Sequence, residues 1–267
     1  MTNGVDMVSE TSKTKTGTGA PEAVAELAAD FDRDGFVIVR GLFAEEETAA
    51  LGAALADLQR RIGTGDLDRS WAGDDLGGDF DGDHPPYVHY VVGVTHLSPV
   101  AAAAIRHPVL LALVQRILGN DHWLYDVDDH GVIYQDARPG AGMTYTRIGW
   151  HSDHQSRPTS EIWPGVALTF HIDATSPANG FLRAVPGSHR GDWDAVPGGF
   201  GKIPGEVAVY CDRGDVLLHH SDLWHAAARA TEDPPGGVRR HMRGSYMGGR
   251  PLAAGEHLEP FNKNALR

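Results

Sequence analysis

The hydrophobic rhythm of the chain changes once, between Gly119 and His122, and that change limits the fold more than any single motif. From Pro21 to Gly119 apolar residues recur at helical spacing: Val24, Leu27 and Phe31, then Leu51, Leu55, Leu58 and Ile62, then Leu110, Leu113, Val114 and Ile117, with Gly119 placed as a C-cap. From His122 onward the apolar runs are short ("GVIY", "GVALTFHI", "EVAVY", "DVLLH") and are broken by Gly and Pro turns. That pattern marks an antiparallel sandwich or barrel. The expected fold is therefore mainly β with flanking helices, helical to about 119 and β from about 122. A chain of 267 residues suits one such domain, expected over 21–267, because all-β units run to about 200–250 residues. Residues 1–20, rich in Thr, Ser and Gly, hold little to bury and are expected to form a disordered tail.

Charge and composition remove several function classes. A net charge of −13 without a Lys/Arg cluster argues against a nucleic-acid partner. The one cysteine, Cys211, rules out an internal disulfide and suits a reducing, cytoplasmic setting. No apolar run approaches the roughly 20 residues of a membrane helix, and the amino terminus lacks the apolar centre of a secretion signal. Residues 65–84, "GDLDRSWAGDDLGGDFDGDH", begin like a calcium loop at Asp79, Asp81 and Asp83. The sixth and twelfth positions are His84 and Tyr90, where such a loop needs Gly and Glu. An acidic connector remains, or a lid in which Trp71 and Phe80 supply apolar surface. Its aspartates (Asp66, Asp68, Asp74, Asp75, Asp79, Asp81, Asp83) would give a rim favouring an amine-bearing substrate.

Chemistry concentrates in two segments. In "RIGWHSDHQS" (147–156), His151 and Asp153 are two apart and share a face if the segment is a strand. In "GDVLLHHSDLWHAA" (214–227), an apolar strand runs into His219, His220 and His225. Two histidines and a carboxylate leave open positions on a metal, as in non-heme Fe(II) oxygenases, whereas structural zinc sites fill four positions and favour cysteine.

Four segments in order carry a family resemblance: "DGFVIVRGLF" (34–43), "WHSDH", "SPANGFLRAVPGSHRGD" (176–192) and "GDVLLHHSDLWHAA". Together they resemble the phytanoyl-CoA hydroxylase family of Fe(II)/2-oxoglutarate dioxygenases. The resemblance implies a double-stranded β-helix, a jelly roll of two sheets. It implies Fe(II) held by His151, Asp153 and His225, the histidine followed by Ala226-Ala227, with His219 and His220 left outside the ligand set. It implies 2-oxoglutarate clamped by Arg239, since Tyr246 seven residues on matches an aromatic position of the same strand; Arg240 would face away. The fourteen residues from His225 to Arg239 are longer than expected, the excess lying in "EDPPGG". Ala227 stands where many members have a cosubstrate-binding serine; Thr169 offers a replacement hydroxyl, and Gln135 and Arg138 lie on the approach to the metal strand. Trp150 and Trp224 are expected to shield the metal, His154 to be solvated, and Asn179-Gly180 and Pro186–His189 to be turns. The implied activity is oxidation of a small molecule with O2, a secondary metabolite or its precursor. It proceeds by hydrogen-atom abstraction and leads to hydroxylation, desaturation, cyclisation or epimerisation. Asp153 argues against halogenation, for which related enzymes lack the carboxylate. A metal-dependent hydrolase and a non-catalytic jelly-roll binding protein are the alternatives, and the clamp arginine discriminates against the hydrolase.

Overall fold

The structure, a computed structural model, describes residues 21–73, 88, 90–126, 131–137, 148–153, 163–191, 195–228 and 238–253. The 1–20 tail, the 74–84 part of the acidic loop, Arg138, His154 and "EDPPGG" lie outside the described residues.

Helix α1 (Pro21–Asp34) opens on a proline, whose missing N–H is no loss in a first turn, and buries Val24, Leu27 and Phe31. It stops at Gly35, where φ is 81° and the N–H returns to the Phe31 carbonyl at 2.7 Å. Helix α2 (Glu45–Thr64) has glutamates through its first turn, where the helix dipole favours them. The Glu47 carboxylate accepts the Ala44 N–H at 2.8 Å, and the helix buries Leu51, Leu55, Leu58 and Ile62. After the single turn α3 (Val94–Leu97), α4 (Pro99–Ile105) and α5 (Pro108–Leu118) each begin with proline, and α5 ends at Gly119. No single helix among the described residues is long and apolar enough to cross a membrane.

The described strands are β1 (Phe36–Val39), β2 (Tyr90–Val91), β3 (Trp123–Tyr125), β4 (Ile133–Ala137), β5 (Ile148–His151), β6 (Gly165–His171), β7 (Leu182–Ala184), β8 (Val207–Val209), β9 (Val216–His220), β10 (His225–Ala227) and β11 (Arg239–Met247). They form two open antiparallel sheets. The larger runs β1-β9-β6-β11-β4-β2, with β3 also on β11, and the smaller runs β5-β10-β7-β8. The expectation of a mainly β fold with flanking helices holds.

Strand alternation gives the larger sheet two unlike faces. Outward, Val166, Leu168, Phe170, Val216, Leu218, Met242 and Tyr246 join the buried faces of α1, α2 and α5 in one apolar cluster. Leu55, Leu110 and Leu113 are fully enclosed there, and cutting any of them to alanine would cost about 2–5 kcal/mol. Inward, register aligns His171, His241 and Gln135 in one row, Thr169 and Arg243 in the next, and Ala167 and His219 in another. Apolar packing between the sheets gathers at one edge, where Ile38 and Leu217 meet Ala184, Val209, Cys211 and Leu223. Buried Asp215 fixes that edge by accepting from Arg40 Nη1 at 2.7 Å and from the Gly41 and Asp212 N–H groups at 2.8 Å each. It thereby ties the end of β1 to the start of β9 and sets where His219 falls.

Candidate metal centre

His151 closes β5 and His225 opens β10, and antiparallel pairing sets them opposite one another with ring centroids 4.1 Å apart. Each ring turns Nδ1 to a backbone carbonyl, Gly149 O at 2.8 Å and Leu223 O at 2.9 Å. A carbonyl can only accept, so Nδ1 carries the proton in both rings and Nε2 keeps its lone pair. Asp153, just beyond the strand, presents Oδ1 at 3.8 Å from each Nε2. The three ligand atoms lie within 4.8 Å of one another. This N,N,O set fits a metal that keeps further positions open for reactants.

The electrostatics agree with ligation. Burial pushes both imidazoles below their ordinary value; Asp153 opposes this at His151, while His151 and His219 reinforce it at His225. Neutral rings are the form a metal binds. Burial alone would raise the Asp153 carboxyl, but contact with His219 and the neighbouring His225 and His151 outweigh it and hold the group below the usual carboxylate range.

A further imidazole stands at this centre. His219 Nε2 lies 3.5 Å from Asp153 Oδ2, and its ring is 4.6 Å from that of His225. His220 takes the opposite face of β9, against Phe31 and His189. Alternation in the sequence already says that adjacent histidines on a strand cannot both face the site; which one does depends on sheet register.

Arg239 also lies on the inner face, only 8% exposed, with no ion pair among the described residues and no partner for Nε. Burial, with help from Arg243, lowers its pKa to about 10. Arg240 points the other way and grips Asp173 through Nε and Nη2 at 2.8 and 2.7 Å. Beside Arg239, both ring nitrogens of His171 and Nδ1 of His241 are buried without hydrogen-bond partners among the described residues. Burial and then the charge of Arg239 lower His171 to about 3 and His241 well below its usual value. Buried donors rarely stay unpaired, so this end of the interior suits an anion. Gln135 is buried opposite His241, and half-buried Thr169 stands opposite Arg243.

Three sequence expectations change in detail. Asn179-Gly180 is more than a turn: Asn179 Nδ2 donates to Ala174 O at 2.8 Å and to Val238 O at 3.1 Å, pinning the residue before Arg239. A Cβ on Gly180, where φ is 88°, would lie 2.5 Å from Ala228 O and 3.0 Å from Arg239 Nη1. In the Pro186–His189 segment, Ser188 Oγ accepts the Trp224 N–H at 2.9 Å and so holds the residue before His225. Trp150 does not shield the metal. As the strand neighbour of His151 it takes the outer face, where Nε1 donates to Gly201 O at 2.8 Å and the Arg183 guanidinium lies 4.9 Å from its ring centroid.

Residues 31–234 match the family described as phytanoyl-CoA dioxygenase (PhyH). The chain belongs to the phytanoyl-CoA dioxygenase family. Among relatives of this PhyH-family chain, the ectoine dioxygenase of Bordetella parapertussis is 29% identical over 177 residues, covering 65% of this chain and 52% of the relative. The chain thus spans about half the length of the ectoine dioxygenases it matches. Among solved structures, the epimerase SnoN from nogalamycin biosynthesis, in complex with Fe3+, alpha ketoglutarate and nogalamycin RO, is similar with a TM-score of 0.63 at 23% identity, over 92% of this chain and 96% of that one. EctD from S. alaskensis, with 2-oxoglutarate and 5-hydroxyectoine, gives a TM-score of 0.62 at 21% identity, over 95% of this chain and 90% of that one. Both share the jelly-roll fold with this PhyH-family chain.

Proposed function

We propose that the chain is an Fe(II)- and 2-oxoglutarate-dependent oxygenase acting on a small molecule, with His151, Asp153 and His225 holding the iron. The observation that carries this reading is an N,N,O donor set opening into the same interior as a buried guanidinium without an ion pair among the described residues. Iron bound there would supply oxidation of a substrate C–H bond by O2, coupled to decarboxylation of 2-oxoglutarate.

The chain's own residues supply orientation. The Gly149 and Leu223 carbonyls fix the tautomers that aim both Nε2 atoms at the metal. Arg239 would meet the far carboxylate of 2-oxoglutarate with two parallel N–H donors, supported by Thr169 and Gln135. Which C–H bond is held toward the metal would decide among hydroxylation, desaturation, cyclisation and epimerisation. The family membership, SnoN with its iron and alpha ketoglutarate, and EctD with its 2-oxoglutarate support this reading.

The test is an anaerobic titration of the Fe(II)-loaded protein with 2-oxoglutarate, followed by visible absorbance, and then succinate release in air with candidate metabolites. Saturable growth of a visible band is the expected result. No 2-oxoglutarate binding to the Fe(II) protein would overturn the reading and favour a metal-dependent hydrolase on the same triad.

A further inference from the structure

We propose that His219 is a positioning residue: it holds the outer oxygen of Asp153, so that the carboxylate gives the metal one oxygen and a third coordination position stays open. The proposal rests on the oxygenase reading for the use of that position, but not for the geometry.

The two oxygens of Asp153 have different surroundings. Oδ1 lies 3.8 Å from both His151 Nε2 and His225 Nε2, on the side where the ligand atoms converge. Oδ2 lies 3.5 Å from His219 Nε2. His219 is placed there by its strand, since β9 pairs it with Phe36 on one side and Ala167 on the other. The Asp215 anchor at the start of β9 fixes that register. Among the described residues neither ring nitrogen of His219 has a hydrogen-bond partner of good geometry, and the side chain is 9% exposed. No other described acceptor therefore competes for its N–H. A buried imidazole donor needs an acceptor, and a shift of a few tenths of an ångström brings Oδ2 into hydrogen-bonding range.

The consequence is a count of positions. On an octahedral metal, two histidine nitrogens and one carboxylate oxygen leave three places, whereas a chelating carboxylate leaves two. A cosubstrate that binds through two atoms would fill both of those and leave none for a second reactant. An N–H donor on Oδ2 competes with the metal for that oxygen and so opposes chelation. His220 cannot substitute, because it lies on the opposite face of the strand.

His219→Phe keeps a planar ring and removes both nitrogens; His219→Asn restores a donor. Co(II) alone is the first probe, because its visible spectrum reports ligand number. His219→Phe is expected to weaken Co(II) binding about 10–100-fold and to change the spectrum, and His219→Asn to recover most of both. With Fe(II) and saturating 2-oxoglutarate under anaerobic conditions, nitric oxide should give a weaker paramagnetic resonance signal in His219→Phe than in the wild type. Wild-type Co(II) affinity and spectrum in His219→Phe would overturn the proposal, as would equal impairment of the Phe and Asn variants. X-ray absorption of the wild-type Co(II) protein should count two imidazoles; three would make His219 a ligand and also overturn it. Failure of the wild type to bind 2-oxoglutarate would instead sink the oxygenase reading and leave the Co(II) result standing.

Discussion

Replacing Arg239 by methionine should move ligand affinity and protein stability in opposite directions. The side chain is 8% exposed and has no ion pair among the described residues, and burial holds its pKa near 10, well below that of a guanidinium in water. That displacement corresponds to a penalty of about 3 kcal/mol on the charged form in the absence of a ligand. A base whose folded pKa lies below its unfolded value is penalised wherever it is protonated. The cost is thus fully present at neutral pH and fades only as pH rises past about 10 towards the ordinary guanidinium value. Methionine keeps most of the length and carries no charge, so the ligand-free variant should be about 1–3 kcal/mol more stable than the wild type. For a domain of this size that is a rise in melting temperature of roughly 2–10 °C. The bound state should change the other way, because the far carboxylate of 2-oxoglutarate loses a charge-assisted partner worth about 1.5–3 kcal/mol, a loss of affinity of about 10- to 150-fold. Calorimetric titration of the anaerobic Fe(II) protein and thermal melts with and without 2-oxoglutarate measure both terms. Ligand at about a hundred times its Kd should stabilise the wild type by about 2.7 kcal/mol and the variant far less at the same concentration. Unchanged 2-oxoglutarate affinity, or a ligand-free variant less stable than the wild type, would refute the argument.

Alanine at His151, Asp153 or His225 should each abolish tight Co(II) binding, measured by visible titration, while circular dichroism stays that of the wild type; metal retained by His225→Ala would reject the ligand set. Arg240→Ala should leave 2-oxoglutarate affinity within about twofold and cost only about 1 kcal/mol in urea unfolding, since the Asp173 pair it breaks is partly exposed. Gly180→Ala should lower 2-oxoglutarate affinity by about tenfold in the same titration, because a methyl group there forces a strained φ and presses on Arg239 Nη1. Stability should fall as pH drops below 6.5, since His171 stays neutral in the folded protein down to about 3 while the unfolded chain takes up the proton. That group contributes about 1.4 kcal/mol per pH unit. The fall in urea midpoint from pH 6.5 to 4.5 should be shallower in His171→Phe than in the wild type, the other buried histidines keeping the rest of the slope, and parallel slopes would count against the assignment.

Much of this protein follows from neighbours along the chain. Helices α1, α2 and α5 announce themselves through three- and four-residue apolar spacing and through Pro21, Pro108 and Gly119, because a helix is built from contacts a few residues apart. The same local geometry separates Arg239 from Arg240, because successive strand residues point to opposite faces; Asp153 lies just beyond β5 and reaches the side of His151 only through the backbone that follows the strand. The family, too, could be read from four segments in order. Alternation says only that two residues differ in face; which face looks inward depends on strand register and sheet stacking. Tertiary structure alone therefore decides that His219 rather than His220 meets Asp153, that Trp150 is buried facing away from the metal ligands, and that Asn179 and Gly180 hold Arg239 in place. Those contacts join residues dozens of positions apart. Their physical cause is the pairing of β9 with β1 and β6 and the closure of one sheet over the other, which no short stretch of sequence encodes.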